Sequence, residues 1–245
     1  GSNSLLLLVL DDQGATLHDE ARVVGLGRGL GDRGLFRTDR MEEALSVLAD
    51  YAARAATLGV PADQVRVAAT SASRRALNAA TFFERVKQRS GLSVRVIEGE
   101  EEARLTWLGA RKGLSLPDGA VAVVDLGGGS TEVVVGERDH IALRTSLEIG
   151  TVRLTEQFLD GGRGRIDPRA LARLRAHVNA VVDTVHWPTV PRAMVAVAGT
   201  ATTLAAMEQG LSTYDGARVH GFRLSRNALR RWIDRLLEAD ADERR

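Results

Sequence analysis

The sequence predicts an α/β protein, in which short strands alternate with helices along the chain. Runs of aliphatic and β-branched residues such as 65–69 and 94–97 have the length and alternation of strands. Between them lie longer segments, such as 41–52, whose apolar residues recur at helical spacing. The composition, with 44% hydrophobic and 27% charged residues, is ordinary for a globular chain. An alternation of this kind is typical of the α/β class.

The first half of the chain is predicted to contain strands at 5–10, 65–69 and 94–97 and helices at about 39–58, 79–90 and 101–112. The first helix is expected to begin at Asp39, because Glu42 follows three residues later in the pattern of a capping box. A Pro-Asp-Gly turn at 117–119 is the most credible domain boundary. We therefore expect an N-terminal domain at 1–116 and a C-terminal domain at 117–245.

The second half is predicted to contain strands at 121–124, 133–135, 140–147 and 194–198, with helices beginning near 151, 167, 201 and 225. Asp167 is expected to cap its helix, because Pro168 stands at the first helical position. Ser225 is expected to cap the last helix. Both halves therefore have the same alternating organisation.

A glycine-rich hairpin at 121–135 is the clearest functional feature of the sequence. Between its apolar runs lie Asp125, Gly127, Gly128, Gly129, Ser130 and Glu132. Glycine tolerates positive φ and lets the backbone approach a ligand closely, and exposed N–H groups at such a turn bind anions. Asp125 at its mouth suits a Mg²⁺ ion that bridges phosphate oxygens. The alternative is a hairpin with no ligand. The motif is not a P-loop or a dinucleotide-binding loop, because it lacks a Gly-Lys-Ser/Thr ending and no helix follows.

Three further segments place small or charged residues where strands meet helices. Hydroxyl residues at 70–73 precede Arg74, and such a junction favours an anion at the helix N-terminus. A solvated surface charge is the alternative for Arg74. Glutamates at 100–102 begin a helix, where the helix dipole stabilises acids without any further function. Gly199 and Thr200 form a turn between a strand and a helix, either to contact a ligand or to allow tight packing.

The composition and charge exclude several classes of function. The chain has no cysteine, which excludes disulfides and thiol catalysis, and its five histidines show no metal-ligand pair. A net charge of +1 argues against a broad nucleic-acid surface, and no apolar run approaches the length of a membrane span. Nearly all positive charge is arginine, whose planar fork suits phosphate. We therefore expect a cytoplasmic protein with no nucleic-acid or membrane partner, in which any polyanion meets a local basic groove.

Two of these motifs also carry a family resemblance. Asp-Leu-Gly-Gly-Gly-Ser-Thr-Glu at 125–132 resembles the second phosphate loop of the actin-like superfamily. Its spelling is specific to the Ppx/GppA family of exopolyphosphatases and guanosine pentaphosphate phosphohydrolases, as is Gly-x-Glu-Glu-Ala-Arg at 99–104. The resemblance covers, in order, segments 1–4, 70–78, 99–104, 125–132, 150–156 and 199–200.

The resemblance implies two ribonuclease-H-like (actin-like) α/β lobes, with the active site in the interdomain cleft. The implied reaction is hydrolysis of a terminal phosphoanhydride, in which Glu102 activates the water and Arg74 neutralises charge on the transferred phosphoryl group. Mg²⁺ or another divalent cation would be held at Asp125, with Glu132 as a second candidate. The implied phosphate-binding residues are Gly1, Ser2, Asn3, Ser4, Gly127, Gly128, Gly129, Ser130, Gly199 and Thr200.

The resemblance also bears on the ends of the chain and on the substrate. Family members have a strand ending in Asp before the first loop and a segment after the last helix, so the chain is expected to be incomplete at both ends. A remnant of tag removal is the alternative origin of Gly1 and Ser2. Inorganic polyphosphate is the favoured substrate, because the short two-lobed form resembles stand-alone exopolyphosphatases. The alternatives are guanosine pentaphosphate of the stringent response, a module that binds these anions without hydrolysis, and an actin-like kinase. Whether the chain forms a homodimer is left open by the sequence.

Overall fold

The computed structural model describes residues 1–31, 33–159, 165–240 and 243–244. The chain divides into two compact units, Gly1–Gly99 and Glu100–Arg245. Strands alternate with helices in both units, which confirms the predicted α/β class. Among the described helices, none combines the length and the apolar character that a membrane span requires.

The first unit contains four strands and three helices. In chain order they are β1 (Ser4–Leu10), β2 (Thr16–Val23), α1 (Thr38–Thr57), β3 (Val67–Ala69), α2 (Ser71–Arg75), α3 (Ala79–Ser90) and β4 (Val94–Val96). β1 pairs with β2 in antiparallel fashion, and β3 pairs with β4 in parallel fashion. The core of this unit includes Leu7 and Val9 of β1, Leu45 and Leu48 of α1, and Phe82 and Val86 of α3.

The second unit is built on a four-stranded sheet. Its elements are α4 (Gly99–Gly113), β5 (Val121–Leu126), β6 (Thr131–Glu137), β7 (His140–Leu147), α5 (Thr151–Phe158), α6 (Pro168–Val182), β8 (Ala193–Val197), α7 (Ala198–Glu208), α8 (Gly216–Val219) and α9 (Arg226–Glu238). The strand order is β7-β6-β5-β8. β6 is antiparallel to β5 and β7, whereas β8 is parallel to β5.

The two faces of this sheet are covered by different helices, because successive side chains of a strand point to opposite faces. On one face, Val121, Val123 and Val134 pack against residues of α4, namely Ala103, Trp107 and Ala110. On the other face, Val133 and Leu147 pack with apolar residues that include Leu154 of α5 and Val178 and Val181 of α6. α4 therefore covers the face that carries the odd-numbered residues of β5.

This packing accounts for the position of the division between the units. The sequence predicted domains at 1–116 and 117–245, with the boundary at the turn at 117–119, and the compact units of the structure meet between Gly99 and Glu100. The side chains of Ala103 and Trp107 are buried in a core shared with β5 and β6, so α4 belongs with the sheet that follows it. The glutamates at 100–102 therefore lie in the second unit.

Candidate active site

Three polar side chains form a row across the sheet of the second unit. Asp125 of β5 is paired with Glu132 of β6, and Glu132 is paired with Ser146 of β7. Residues that are directly opposite on neighbouring strands share a face. Asp125 follows Val121 and Val123 at the period of two, so the row lies on the face that α4 covers. The buried valines hold α4 in place and the polar row continues the same face.

Two polar residues of α4 are directed at this row. The Thr106 hydroxyl donates a hydrogen bond to Oδ2 of Asp125 at 3.3 Å. Glu102 lies four residues earlier, and residues at this spacing occupy the same side of a helix. The negative charge of Glu102 raises the pKa of Glu132, which places it close enough to interact electrostatically. The helix thus brings a third carboxylate to the row.

The carboxyl group of Glu132 is almost completely inaccessible, with the residue only 1% exposed. Burial raises its pKa to about 7, and the charge of Glu102 acts in the same direction. The hydroxyl groups of Ser130 and Ser146 oppose this rise by hydrogen bonding, and Ser146 Oγ donates to Oε1 of Glu132 at 2.7 Å. Burial is the largest of these influences, so the ionised carboxylate is poorly compensated by its surroundings.

Asp125 shows the same imbalance. Burial raises the pKa of this carboxyl group, and the hydrogen bond from Thr106 only partly opposes it. Among the described residues, no arginine, lysine or histidine forms an ion pair with Asp125 or Glu132. Two neighbouring carboxylates, Glu132 buried and Asp125 half-buried, without a cationic side chain form an environment that favours a bound cation.

The glycine-rich loop is held by the first turn of α5. The N–H groups of Thr151 and Val152 donate to the carbonyl oxygens of Gly127 and Gly128 at 2.9 and 3.0 Å. In a trans peptide the carbonyl and the following N–H point in opposite directions. The N–H groups of Gly128 and Gly129 are therefore directed away from α5, as an anion-binding loop requires.

Close approach of the backbone, rather than positive φ, explains Gly127 of this loop and Gly150, which packs against it. Gly127, Gly128 and Gly129 are all absent from the positive-φ region, contrary to one part of the sequence argument. A Cβ atom at Gly127 would lie 2.9 Å from the carbonyl oxygen of Ser130. A Cβ atom at Gly150 would lie 2.4 Å from the carbonyl carbon of Gly128. The loop is thus a close contact of two backbone segments.

The junction between β8 and α7 lies beside the same end of the sheet. Val197 is paired with Asp125 in the parallel register of β8 and β5, so the next residues begin α7 next to the loop. Ala198 has a φ of 69°, in the left-handed region that L-residues seldom adopt. A Cβ atom at Gly199 would meet nothing within 4 Å, so tight packing does not explain this glycine. Thr200 follows it in α7.

In the first unit, the carbonyl groups of the loop at 1–4 are also anchored. Ser2 O accepts a hydrogen bond from the N–H of Gly27 at 2.7 Å, and Asn3 O accepts one from Gly25 at 2.8 Å. The Ser2 side chain is buried, and Oδ1 of Asn3 is buried without a hydrogen-bond partner among the described residues. Gly1 precedes this anchored segment, and Ser4 is the first residue of β1.

Arg74 lies at the end of the parallel strand pair of this unit. Its Nη1 donates a hydrogen bond to the carbonyl oxygen of Ile97 at 2.7 Å. β3 and β4 are parallel and end at Ala69 and Val96, so α2 and Ile97 both follow the carboxyl edge of this pair. The guanidinium is thus tethered to the end of β4 and is not a freely solvated surface charge.

The residues of the second unit fit a divalent cation that takes only a few of its ligands from the protein. No group of three or more histidine, cysteine or acidic residues in the described part of the chain forms a metal cage. Mg²⁺ binds through one or two carboxylates and completes its shell with water and substrate phosphates. Asp125 and Glu132, which are paired across neighbouring strands, could supply such a pair of oxygen ligands.

Sequence reasoning missed Thr106 and Ser146, the two hydroxyl residues that hydrogen-bond to these carboxylates. Thr106 has a weak signal, because it lies four residues after Glu102 on the same helix face. Ser146 has none, because its place opposite Glu132 depends on an irregular strand register, with a shift between Val135 and Gly136. The sequence named Asp125, Glu132 and the loop between them as candidates, and the structure pairs the two carboxylates across β5 and β6.

Comparison with known proteins gives consistent matches. A profile of the Ppx/GppA phosphatase family matches residues 9–245. The Exopolyphosphatase 2 of Mycobacterium tuberculosis is 37% identical over 235 residues, which span 90% of this chain and 72% of that protein. The structure of the Aquifex aeolicus PPX-GPPA enzyme is 36% identical, with a TM-score of 0.79, and the match covers 100% of this chain and 80% of that one. An exopolyphosphatase from Cytophaga hutchinsonii is 26% identical, with a TM-score of 0.86 and coverage of 100% and 80%.

Proposed function

Because the chain belongs to the Ppx/GppA phosphatase family, we propose that it is a Mg²⁺-dependent exopolyphosphatase that releases orthophosphate from the end of inorganic polyphosphate. Family membership and the named exopolyphosphatase relatives indicate a phosphoanhydride hydrolase, as the sequence predicted. Phosphatases of this family generally use divalent cations. We propose Mg²⁺ as the cation and inorganic polyphosphate as the substrate.

The observation that carries the proposal is the pairing of half-buried Asp125 with buried Glu132 beside the glycine-rich loop, with Glu102 close enough to raise the pKa of Glu132. A cation at Asp125, with Glu132 as second ligand, would neutralise phosphate charge and replace the compensation that burial denies these carboxylates. The N–H groups of Gly128 and Gly129 are directed away from α5 and are free to point at phosphate oxygens. Acidic and anion-binding groups thus lie side by side, as a phosphate-bridging cation needs.

The remaining phosphate-binding residues are proposed from the family motif and from their local geometry. Gly127 and Ser130 close the loop, and the Ser130 hydroxyl also stabilises Glu132. Gly199 and Thr200 begin α7 beside the end of β5 and have room for a ligand. In the first unit, the loop at 1–4 has its carbonyls anchored, so the N–H of Asn3 is directed away from Gly27.

In the proposed reaction Glu102 is the general base. A water oxygen attacks the terminal phosphorus, the bond from that phosphorus to the bridging oxygen breaks, and the proton of the water passes to the Glu102 carboxylate. The products are orthophosphate and a chain that is shorter by one phosphate. Arg74 would bind an equatorial oxygen and offset the negative charge of the transition state, for which a bidentate guanidinium is suited.

A decisive experiment compares Glu102→Gln with its neighbour Glu101→Gln. Phosphate release from polyphosphate with Mg²⁺ is measured for the parent chain and both variants, and polyphosphate binding is measured separately. We expect Glu102→Gln to lower kcat by about 10²–10⁴-fold with binding retained, because a general base contributes this much. Glu101→Gln is the matched control, since it makes the same chemical change in the same turn of α4. It should stay near the parent rate, because Glu101 has no role in the proposed reaction. Equal rates for all three proteins would remove Glu102 from the mechanism.

The alternatives give different results in the same assay. Faster release from guanosine pentaphosphate than from polyphosphate would move the substrate to the nucleotide. Tight binding of either anion by the parent, without release, would indicate a binding module. ATP-dependent protection in a thermal unfolding assay, together with phosphorylation of an acceptor, would indicate a kinase. The named relatives favour polyphosphate among these.

A further inference from the structure

Each of the two carboxylates at the candidate metal site accepts a hydrogen bond from a hydroxyl group on another element. Ser146 of β7 donates to Glu132, and Thr106 of α4 donates to Asp125. We propose that Ser146 and Thr106 are positioning residues, which fix one oxygen of each carboxylate so that the other oxygen is presented to the divalent cation. The inference rests on the proposed function, because it assumes that Asp125 and Glu132 bind this cation.

The contact of Ser146 with Glu132 is the stronger of the two. Its length of 2.7 Å lies at the most frequent value for an O–H to oxygen hydrogen bond. Serine stands on the strand next to Glu132 in the sheet register, so its position is fixed by the β6–β7 pairing. A glutamate has three rotatable bonds, and a hydrogen bond from a fixed strand residue restricts them before a cation arrives. The cation then finds an oriented ligand.

Thr106 acts on Asp125 in the same way but less strongly. Its hydrogen bond is 3.3 Å long, beyond the usual range of about 2.5–3.0 Å for an O–H to oxygen hydrogen bond, and is therefore weak. Threonine is restricted at χ1, and its helix is held on the sheet by the buried residues Ala103 and Trp107. The hydroxyl therefore comes from a rigid element although the hydrogen bond is longer. We expect its removal to have the smaller effect.

Two roles are separable for these hydroxyl groups. If they only satisfied the hydrogen-bonding needs of the carboxylates, their removal would lower stability. The measured cation affinity would then fall only as far as the fraction of folded protein falls. If they orient the ligands, their removal lowers cation affinity in the folded protein. A carboxylate has about four lone-pair sites on its two oxygens, so each carboxylate keeps acceptor sites for the cation after Ser130 and Ser146 have bonded to Glu132 and Thr106 has bonded to Asp125. Residues that hold a metal ligand in this way typically change metal affinity by about 10–100-fold when removed.

The test is a calorimetric titration of Mg²⁺, and separately Mn²⁺, into the full chain without substrate. Ser146→Ala is expected to raise the Kd of the cation by about 10–100-fold, and Ser146→Thr, which keeps the hydroxyl, to restore it. Thr106→Val, which keeps the shape, should raise Kd by a smaller factor, and Thr106→Ser should restore it. Thr145→Val is the matched control, because Thr145 stands next to Ser146 but pairs with Val133, which lies on the other face.

Activity and stability complete the test. In steady-state assays Ser146→Ala should raise the Mg²⁺ concentration for half-maximal rate while the KM for polyphosphate at saturating Mg²⁺ stays unchanged. Thermal unfolding with a chelator reports the structural effect separately. Unchanged Kd in a folded Ser146→Ala protein overturns the inference alone, whereas a parent chain that binds no cation overturns the proposed metal site. If Ser146→Ala does not fold, Thr106→Val provides the same comparison.

Discussion

The two candidate phosphate loops are built by the same backbone device but belong to units whose candidate charged residues have opposite signs. In the loop at 127–130 the carbonyls are held by N–H groups of α5, and in the loop at 1–4 they are held by N–H groups at 24–27. Either way, the following N–H groups are directed to the opposite side. The loop at 127–130 lies beside Asp125 and Glu132, whereas the loop at 1–4 belongs to the unit that carries Arg74.

The difference indicates a division of chemical tasks between the two units. Main-chain N–H groups can bind phosphate in both, because this device needs only anchored carbonyls and close packing. Buried carboxylates with raised pKa occur in the second unit and suit a cation. A tethered arginine occurs in the first and suits an anion directly. Backbone contacts and side-chain charges can therefore be tested apart.

The largest effect is expected from adding a methyl group where the backbone contacts are closest. Gly150→Ala places a Cβ atom 2.4 Å from the backbone of Gly128, and no flexible side chain can yield there. We expect a loss of about 3 kcal/mol or more in the free energy of unfolding. Gly27 lies in the segment that anchors the loop at 1–4. Gly27→Ala, whose Cβ would have its closest contact at 3.0 Å to Ser2 O, should cost about 1 kcal/mol. Urea unfolding measures both, and equal losses would show that the two loops are packed alike.

A second prediction separates the charges of the two units. Arg74→Ala should lower kcat by about 10²–10³-fold, the typical effect of one donor to a transition-state oxyanion, without changing the Mg²⁺ requirement. Asp125→Asn should instead raise the Mg²⁺ concentration for half-maximal rate. Rates are measured over a range of Mg²⁺ concentrations, with Arg75→Ala as the neighbouring control in α2. If Arg74→Ala and Arg75→Ala were equally active, Arg74 would serve only to hold Ile97.

Glu132 predicts a pH dependence of stability in the absence of metal. Its pKa is about 7 in the folded protein against 4.5 for a free glutamate, so the folded state binds the extra proton between these values. The contribution of Glu132 to unfolding free energy is therefore fully present below pH 4.5 and is lost as the pH rises to about 7. The loss amounts to about 3 kcal/mol at most.

Glu132→Gln removes this titration. In a chelator at pH 8 the variant should be more stable than the parent, and the difference should vanish below about pH 4.5. Addition of Mg²⁺ should stabilise the parent more than the variant, which keeps Asp125 but lacks the second proposed ligand, because stabilisation by a ligand grows with its affinity for the folded state. Chemical unfolding at several pH values checks this. A difference independent of pH would mean that burial does not raise this pKa in the folded chain.

The structure also shows which of its parts could be predicted from the sequence. The predicted caps Asp167 and Ser225 are confirmed, since Asp167 accepts from Ala170 N at 3.1 Å and Ser225 from Ala228 N at 3.1 Å. The predicted cap Asp39 is wrong, because α1 begins at Thr38, and the Asp39 carboxylate accepts instead from Arg37 and Arg40. Capping motifs are thus predictable unless a charged neighbour competes for the same oxygen atoms.

In the site, local sequence predicted the carboxylates but not their hydrogen-bond partners. Asp125 and Glu132 flank one tight turn, so their shared face follows from the hairpin itself. Counting from the pair of Glu137 and His140, an unbroken register would place Thr145 opposite Glu132. The bulge near Val135 shifts the pairing by one residue and brings Ser146 there instead. Such a bulge depends on packing across the sheet, and its sequence signal is weak.

The smallest effect concerns the junction between β8 and α7, where a non-glycine residue has a strained conformation. Ala198 has a φ of 69°, which costs an L-residue about 1 kcal/mol or more. Ala198→Gly relieves this strain, while the greater freedom of glycine in the unfolded chain offsets about 0.4–1 kcal/mol. We expect unfolding free energy to change by less than about 1 kcal/mol. Ala201→Gly, in the same helix without strain, should lose about 1 kcal/mol. Equal losses in urea unfolding would show that Ala198 is not strained, and the junction would then owe its shape to packing alone.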